Sequence, residues 1–171
     1  MKTIYLLRHA KSSWGDPTLA DFDRPLNKRG KRAAENMAAY LAAGKLRPDL
    51  VLCSAAKRTV STLKRVQSQF GGDLPAVIDE ALYHADASLW IRRLRALNND
   101  VGAVMIVGHN PGAEELAHIL TGSGDKEAYS RMAVKFPTGA LAVFQSDISS
   151  WREIGHDGAN LLCFVCPRDL E

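Results

Sequence analysis

LLRHAKSSW, residues 6–14, carries an apolar run straight into Arg8 and His9 and then into small polar turn residues. A buried strand that ends at a ligand-bearing edge has this form, but so does an isolated Arg-His pair on a surface, and what repeats elsewhere decides between them. Apolar runs bounded by turn signals recur at 3–7, 50–53, 76–78, 103–107, 140–144 and 161–165, and each predicts a strand. Helical patterns fill most of the gaps. Ala34, Met37, Ala38 and Leu41 hold the spacing of one buried helix face, with Asn27 as N-cap and Gly44 as the stop. Thr59, Leu63, Val66 and Phe70 mark a second helix ending at Gly71-Gly72, and Trp90, Leu94 and Leu97 a third. Ala113, Leu116, Ala117 and Leu120 mark a fourth, ended by Gly122. Strands alternating with helices predict an α/β fold with a mostly parallel central sheet flanked by helices. From Phe136 onward, short turns such as Gly155-His156-Asp157-Gly158 join the strand signals, which predicts antiparallel additions at one edge. No repeat, linker or composition break divides residues 1–171, so a single domain is expected.

Composition narrows the function classes. A chain of 171 residues with 46% hydrophobic and 24% charged residues can bury one sizeable core. Its net charge of +3 is small, and its Lys and Arg residues carry no interleaved aromatic stripe, so neither nucleic acid nor membrane is expected as a partner. The longest basic cluster, Lys28-Arg29-Gly30-Lys31-Arg32, reads as a solvated helix start. No apolar run reaches secretory or membrane-spanning length, which makes the cytoplasm the default location. Three cysteines fit a reducing compartment. Cys163 and Cys166 form a CxxC, but inside a strand pattern such positions face opposite ways and no second CxxC exists, so no metal site is expected.

Ligands of open α/β sheets bind outside the carboxyl ends of the strands, where loops and helix N-termini gather. The first strand ends in Arg8-His9. The run 104–107 ends in Gly108-His109-Asn110-Pro111-Gly112, and the run 50–53 ends in Ser54, a candidate cap, followed by Arg58 near the first turn of a helix. Helical side chains lean toward the helix N-terminus, so Arg58 is expected to aim back at the same edge. Arg8, His9, Arg58 and His109 then converge on one crevice and repel one another unless an anion fills it. A phosphoryl group fits: guanidinium forks hold its oxygens and a neutral imidazole attacks phosphorus.

Five segments, LLRHAKSSW, DRPLNKRG (23–30), SAAKRTVST (54–62), EALYHA (80–85) and VGHNPG (107–112), resemble the histidine phosphatase superfamily, and most closely its small SixA-type phosphohistidine phosphatases. The resemblance runs from Met1 to about residue 144. It implies a phosphoglycerate mutase-like three-layer sandwich without a sizeable lid insertion. It also implies phosphotransfer to His9 and then to water, with Arg8, Arg58 and His109 forming the phosphate pocket and no cofactor. Glu80 matches the position that supplies a proton donor in this superfamily, though an exposed loop carboxylate reads the same way. Lys11, Ser12 and Ser13 lie close enough to His9 to reach phosphate oxygens. Asp23 and Arg24 border the pocket or hold the loop, and Asn110 caps the following helix or touches the ligand. His84 is at most an entrance residue, His118 reads as packing, and His156 as a turn residue.

The leading expectation is a phosphohistidine phosphatase acting on a phosphorylated protein, for which a histidine-containing phosphotransfer domain is one candidate. A phosphatase or mutase for a small phosphate monoester shares every pocket residue. A non-catalytic phosphate sensor is the third reading, disfavoured because both His9 and His109 are present.

Overall fold

The computed structural model describes residues 1–171. Its strands are β1 (Lys2–Arg8), β2 (Leu50–Ser54), β3 (Ala76–Asp79), β4 (Ala103–Gly108), β5 (Thr121–Gly124), β6 (Leu141–Ser146) and β7 (Ala159–Val165). The helices are α1 (Lys28–Ala43), α2 (Lys57–Gln69), α3 (Ala87–Arg95), α4 (Gly112–Leu120) and α5 (Lys126–Val134). All seven strands join one sheet of order β3-β2-β4-β1-β6-β7-β5. β6 is antiparallel to both its neighbours and every other adjacent pair is parallel, so β6 alone runs against the rest. The reversed strand lies inside the sheet, with β7 and β5 beyond it.

The apolar runs of β1, β2 and β4 are nearly continuous because both sheet faces are covered. Ile4, Leu6, Leu52, Val104 and Ile106 turn to one face, where Trp90 of α3, Leu116 of α4 and Met132 of α5 complete a core. Tyr5, Leu7, Val51, Met105 and Val107 turn to the other, against Met37 and Leu41 of α1 and Leu63 of α2. The result is a three-layer sandwich.

Asn27 caps α1 as expected, its side chain accepting from the Gly30 N–H at 2.7 Å, and Gly44 closes the helix. The chain past α4 departs from the sequence reading. α4 stops at Leu120, and Gly122 belongs to β5, where an added Cβ would lie 2.1 Å from the Asp157 carbonyl oxygen. α5 has no counterpart in the sequence reading, since it buries only Ala128 and Met132 and leaves too thin an apolar stripe to read as a helix.

Parallel pairing brings three strand ends to one edge. Arg8 lies in register with Gly108, and Cys53 with Val107, so β1, β2 and β4 end side by side. Their next residues, His9, His109 and the α2 turn, have to meet there. The loop after β1 is held from below by α1, whose Gly30 has a Cβ position 2.0 Å from the Lys11 carbonyl oxygen. An alanine in a helix ordinarily stabilises by about 1 kcal/mol relative to glycine. Here the clash is with backbone, which cannot swing aside, so Gly30→Ala should destabilise by about 1–3 kcal/mol. Thermal unfolding should show a Tm several degrees below that of the wild type.

Candidate active site

The site grows from the edge where β1 and β4 end. The His9 N–H donates to the Gly108 carbonyl at 3.0 Å, which holds His9 beside His109, and their ring centroids lie 5.2 Å apart. The His9 Nδ1 lies 2.7 Å from the Ala10 carbonyl oxygen, and only a protonated nitrogen can bond there. Nδ1 therefore carries the proton and Nε2 keeps a free lone pair. Arg8 Nη1 donates to the Phe136 carbonyl at 2.9 Å, a bond that reaches the segment before β6. Arg58, the second residue of α2, is buried as the backward lean of helical side chains predicts. Thr62, one turn further along α2, donates to the Arg58 carbonyl at 2.8 Å and accepts from the Ala10 N–H at 3.1 Å, tying the helix to the residue after His9.

Asp21, in a 3-10 turn after β1, supplies the counter-charge. Arg58 donates to the Asp21 carbonyl at 2.7 Å and to its Oδ2 at 3.0 Å. The Tyr83 hydroxyl donates to the same carboxylate oxygen, and His84 Nε2 lies 3.4 Å from it. The hydrogen bond from Tyr83, with those from Arg58 and His84, holds the Asp21 carboxyl down at about 2. Burial first, and then the charges of Arg58 and Arg8, push His9 down to about 4. Burial, then His9, Arg58 and His84, push His109 to about 2. Burial likewise lowers Arg8, with Arg58 adding to the shift. At neutral pH the neutral imidazoles of His9 and His109 therefore stand beside the Arg8 and Arg58 guanidinium groups and an ionised Asp21.

The four residues expected at the strand ends are brought together, but the others divide. Arg24 reaches the site: its guanidinium covers the Trp14 ring at 4.1 Å and its Nε lies 3.9 Å from Asp21 Oδ1. Asn110 does not cap α4, where Pro111 holds that position. Its Nδ2 instead donates to the Phe136 carbonyl at 3.0 Å, the acceptor that Arg8 also uses. Ser12 is buried in an isolated bridge with Leu26, and the Ser13 N–H donates to the Pro25 carbonyl at 2.7 Å, so these groups brace the loop. Lys11 is exposed and lines a neighbouring groove. Glu80 is exposed, and its carboxylate joins no hydrogen bond or ion pair. Asp23 is exposed as well.

Asp21, Tyr83, His84 and Ser54 are the residues that sequence reasoning misplaces or misses. Ser54 does not cap α2. It is fully buried, and its hydroxyl lies 2.8 Å from His109 Nε2. His84 stacks at 5.0 Å from the His109 ring and adopts a φ of 52°. The one available signal is charge balance: a crevice of cations needs a nearby acid, and Asp21 lies three residues before Arg24. Buried polar atoms without a partner concentrate here, among them Arg8 Nε, Arg24 Nε and Nη1, His109 Nδ1 and Asn110 Oδ1. All but the last are nitrogens on side chains that can donate, the complement of an oxyanion. No group of three or more His, Cys, Asp or Glu side chains is placed to hold a metal ion.

Comparison with known proteins agrees with this geometry. Residues 4–100 match the family model of the histidine phosphatase superfamily (branch 1). An uncharacterised protein of Mycobacterium leprae is 36% identical over 166 residues, which span 95% of this chain and 100% of that protein. The crystal structure of a protein assigned as a phosphohistidine phosphatase SixA, from Agrobacterium tumefaciens, is 33% identical, with a TM-score of 0.83 over 97% of this chain and 98% of that one. A protein histidine phosphatase SixA solved in complex with tungstate is 25% identical, with a TM-score of 0.78 over 99% of each chain. With its Arg-His and Gly-His-Asn motifs at adjoining strand ends and a match over more than half its length, the chain belongs to the histidine phosphatase superfamily.

Proposed function

We propose that this protein is a phosphohistidine phosphatase that acts on a phosphorylated protein through a covalent intermediate on His9. The observation that carries the choice of substrate is that no protonated carboxyl stands in the crevice. Asp21, the carboxylate in the crevice, is held at about 2 and stays ionised at neutral pH. Glu80 faces solvent. An alkoxide leaving group needs a proton from the enzyme, whereas phosphohistidine protonated on its second ring nitrogen leaves as neutral imidazole. A relative that binds tungstate, a tetrahedral oxyanion like phosphate, supports the phosphoryl reading of the pocket.

In the first step His9 Nε2 attacks phosphorus, the P–N bond to the substrate imidazole breaks, and the electron pair leaves with that ring. Phospho-His9 keeps its Nδ1 proton on the Ala10 carbonyl and so carries an imidazolium charge. Water then attacks phosphorus, the P–Nε2 bond breaks, and His9 departs as the neutral imidazole it began as, leaving dihydrogen phosphate. Arg8 and Arg58 neutralise charge on the transferring group throughout, the task a metal ion performs in other phosphatases. With the Ser54 hydroxyl donating to Nε2 of His109, the free Nδ1–H of that ring is a further donor to a phosphoryl oxygen. The half-exposed His84 and Asp21 form an uncovered rim, which admits a histidine presented on a folded protein and encloses a small metabolite poorly.

The deciding experiment compares kcat/KM at one pH for a phosphorylated histidine-containing phosphotransfer domain and a panel of small phosphate monoesters. The phosphoprotein should be the better substrate, and rapid quench should trap an acid-labile, base-stable label that His9→Ala abolishes. A sugar phosphate or phosphoglycerate turned over more efficiently would transfer the assignment to ester chemistry. Arg58→Ala should lower kcat on the order of 10² to 10³. Arg58→Lys should restore little of it, because a point charge cannot reproduce the fork.

The depressed imidazoles set a pH dependence. Between the ordinary histidine value of 6.5 and the folded value of about 4, the unfolded chain binds a proton that folded His9 refuses. Stability is thus full above that window and falls as pH drops through it, with His109 extending the loss further into acid. NMR of the ring nitrogens should find His9 neutral at pH 5.5, protonated on Nδ1 and not on Nε2. Thermal unfolding should show Tm falling from pH 6.5 to 4, and falling less in His9→Gln.

A further inference from the structure

Beside the phosphate crevice lies a groove of about 1020 Å³, walled by the start of α1, the end of α5, Pro137-Thr138 and the C-terminal segment. Lys11, Lys28, Arg29, Arg32, Lys135 and Arg168 line it, all exposed and none in an ion pair. Arg131 also lines it but is paired with Asp169, and the only lining acid is Glu171. The first turn of α1 contains no acidic residue, although carboxylates are the side chains favoured at that positive end. The cations there therefore stand against both the helix dipole and one another, and an anionic occupant relieves both.

The groove adjoins the site along the chain. Lys11 follows His9 by two residues. Pro137 and Thr138 lead into Gly139, whose N–H donates to the Arg8 and His9 carbonyls at 3.1 and 2.9 Å. Resting on the phosphohistidine reading of the crevice, we infer that this groove docks an acidic segment of the phosphoprotein substrate while its phosphohistidine occupies the crevice. The shape favours a peptide segment. A concave groove does not meet a flat bilayer. The one aromatic residue in its lining, Phe164, is buried, so no stacking platform for nucleotide bases is present. Two prolines and the exposed Val134 supply apolar contacts at the rim.

The test uses two synthetic histidine peptides, one flanked by Asp and Glu and one by Ser and Gly, each phosphorylated with phosphoramidate. The acidic peptide should show a higher kcat/KM, on the order of tenfold and mainly in KM, and the advantage should shrink as salt is raised. In the double variant Arg29→Glu/Arg32→Glu the preference should vanish while hydrolysis of p-nitrophenyl phosphate stays unchanged. Fluorescence anisotropy of the labelled, unphosphorylated acidic peptide reads docking without chemistry and should show binding to the wild type that the variant loses. Equal kcat/KM for the two peptides, or an acidic preference that survives the charge reversal, would overturn the groove while leaving the phosphatase reading intact. If neither phosphopeptide is hydrolysed while p-nitrophenyl phosphate is, the phosphohistidine reading fails and the docking inference with it. A labelled oligonucleotide that outcompetes the acidic peptide would replace the occupant.

Discussion

The guanidinium groups of Arg8, Arg24 and Arg58 and the imidazoles of His9 and His109 share one crevice, and the molecule must keep that assembly from repelling itself apart. It does so by making these imidazoles neutral and setting Asp21 against Arg58 and Arg24. Burial keeps His9 and His109 neutral, so the positive charge is limited to Arg8, Arg58 and the neighbouring Arg24. Asp21 then sits against the buried Arg58 guanidinium and accepts from both of its Nη atoms. The same burial that removes the repulsion also leaves a lone pair on His9 Nε2. The stability of the crevice and the protonation state of its imidazoles thus have one physical origin.

The sheet makes this arrangement reproducible. Parallel register sets Arg8 opposite Gly108, and His9 and His109 are simply the next residues on two adjoining strands. The Phe136 carbonyl accepts from both Arg8 and Asn110, which ties both strand ends to the segment that leads into the reversed strand β6. Displacing His9 would break its bonds to Gly108 and Gly139, and displacing His109 its bond to Ser54.

The strand-end residues are legible in the sequence because the apolar runs before them are long and the helix after β2 has a clear buried face. Arg58 can be aimed from helix geometry alone. The residues around Asp21 cannot, because their contacts cross long separations through irregular turns: Tyr83 meets Asp21 from 62 residues away and Arg58 from 37. Neither the 3-10 turn of Asp21 nor the one at Glu80–Leu82, just before Tyr83, carries a periodic signal that would orient these side chains. Ser54 reads as a cap because its partner, His109, lies 55 residues further on. β5 and α5 escape for a different reason: a TGSG strand and a helix with two buried residues carry almost no apolar pattern.

The strand order has a consequence for the order of synthesis. β1 and β2 never touch, because β4 lies between them and pairs with both. Arg8 and His9 leave the ribosome early and Arg58 soon after, but nothing holds their strands at the right spacing until residues 103–108 have been made. The first hundred residues, which include the whole stretch matched by the family model, therefore hold Arg8, His9 and Arg58 without the means to align them. Insertion of β4 joins β1 to β2 and delivers His109 in the same event. A nascent chain thus gains the spacing of its two earlier strands and its second histidine together, not one before the other.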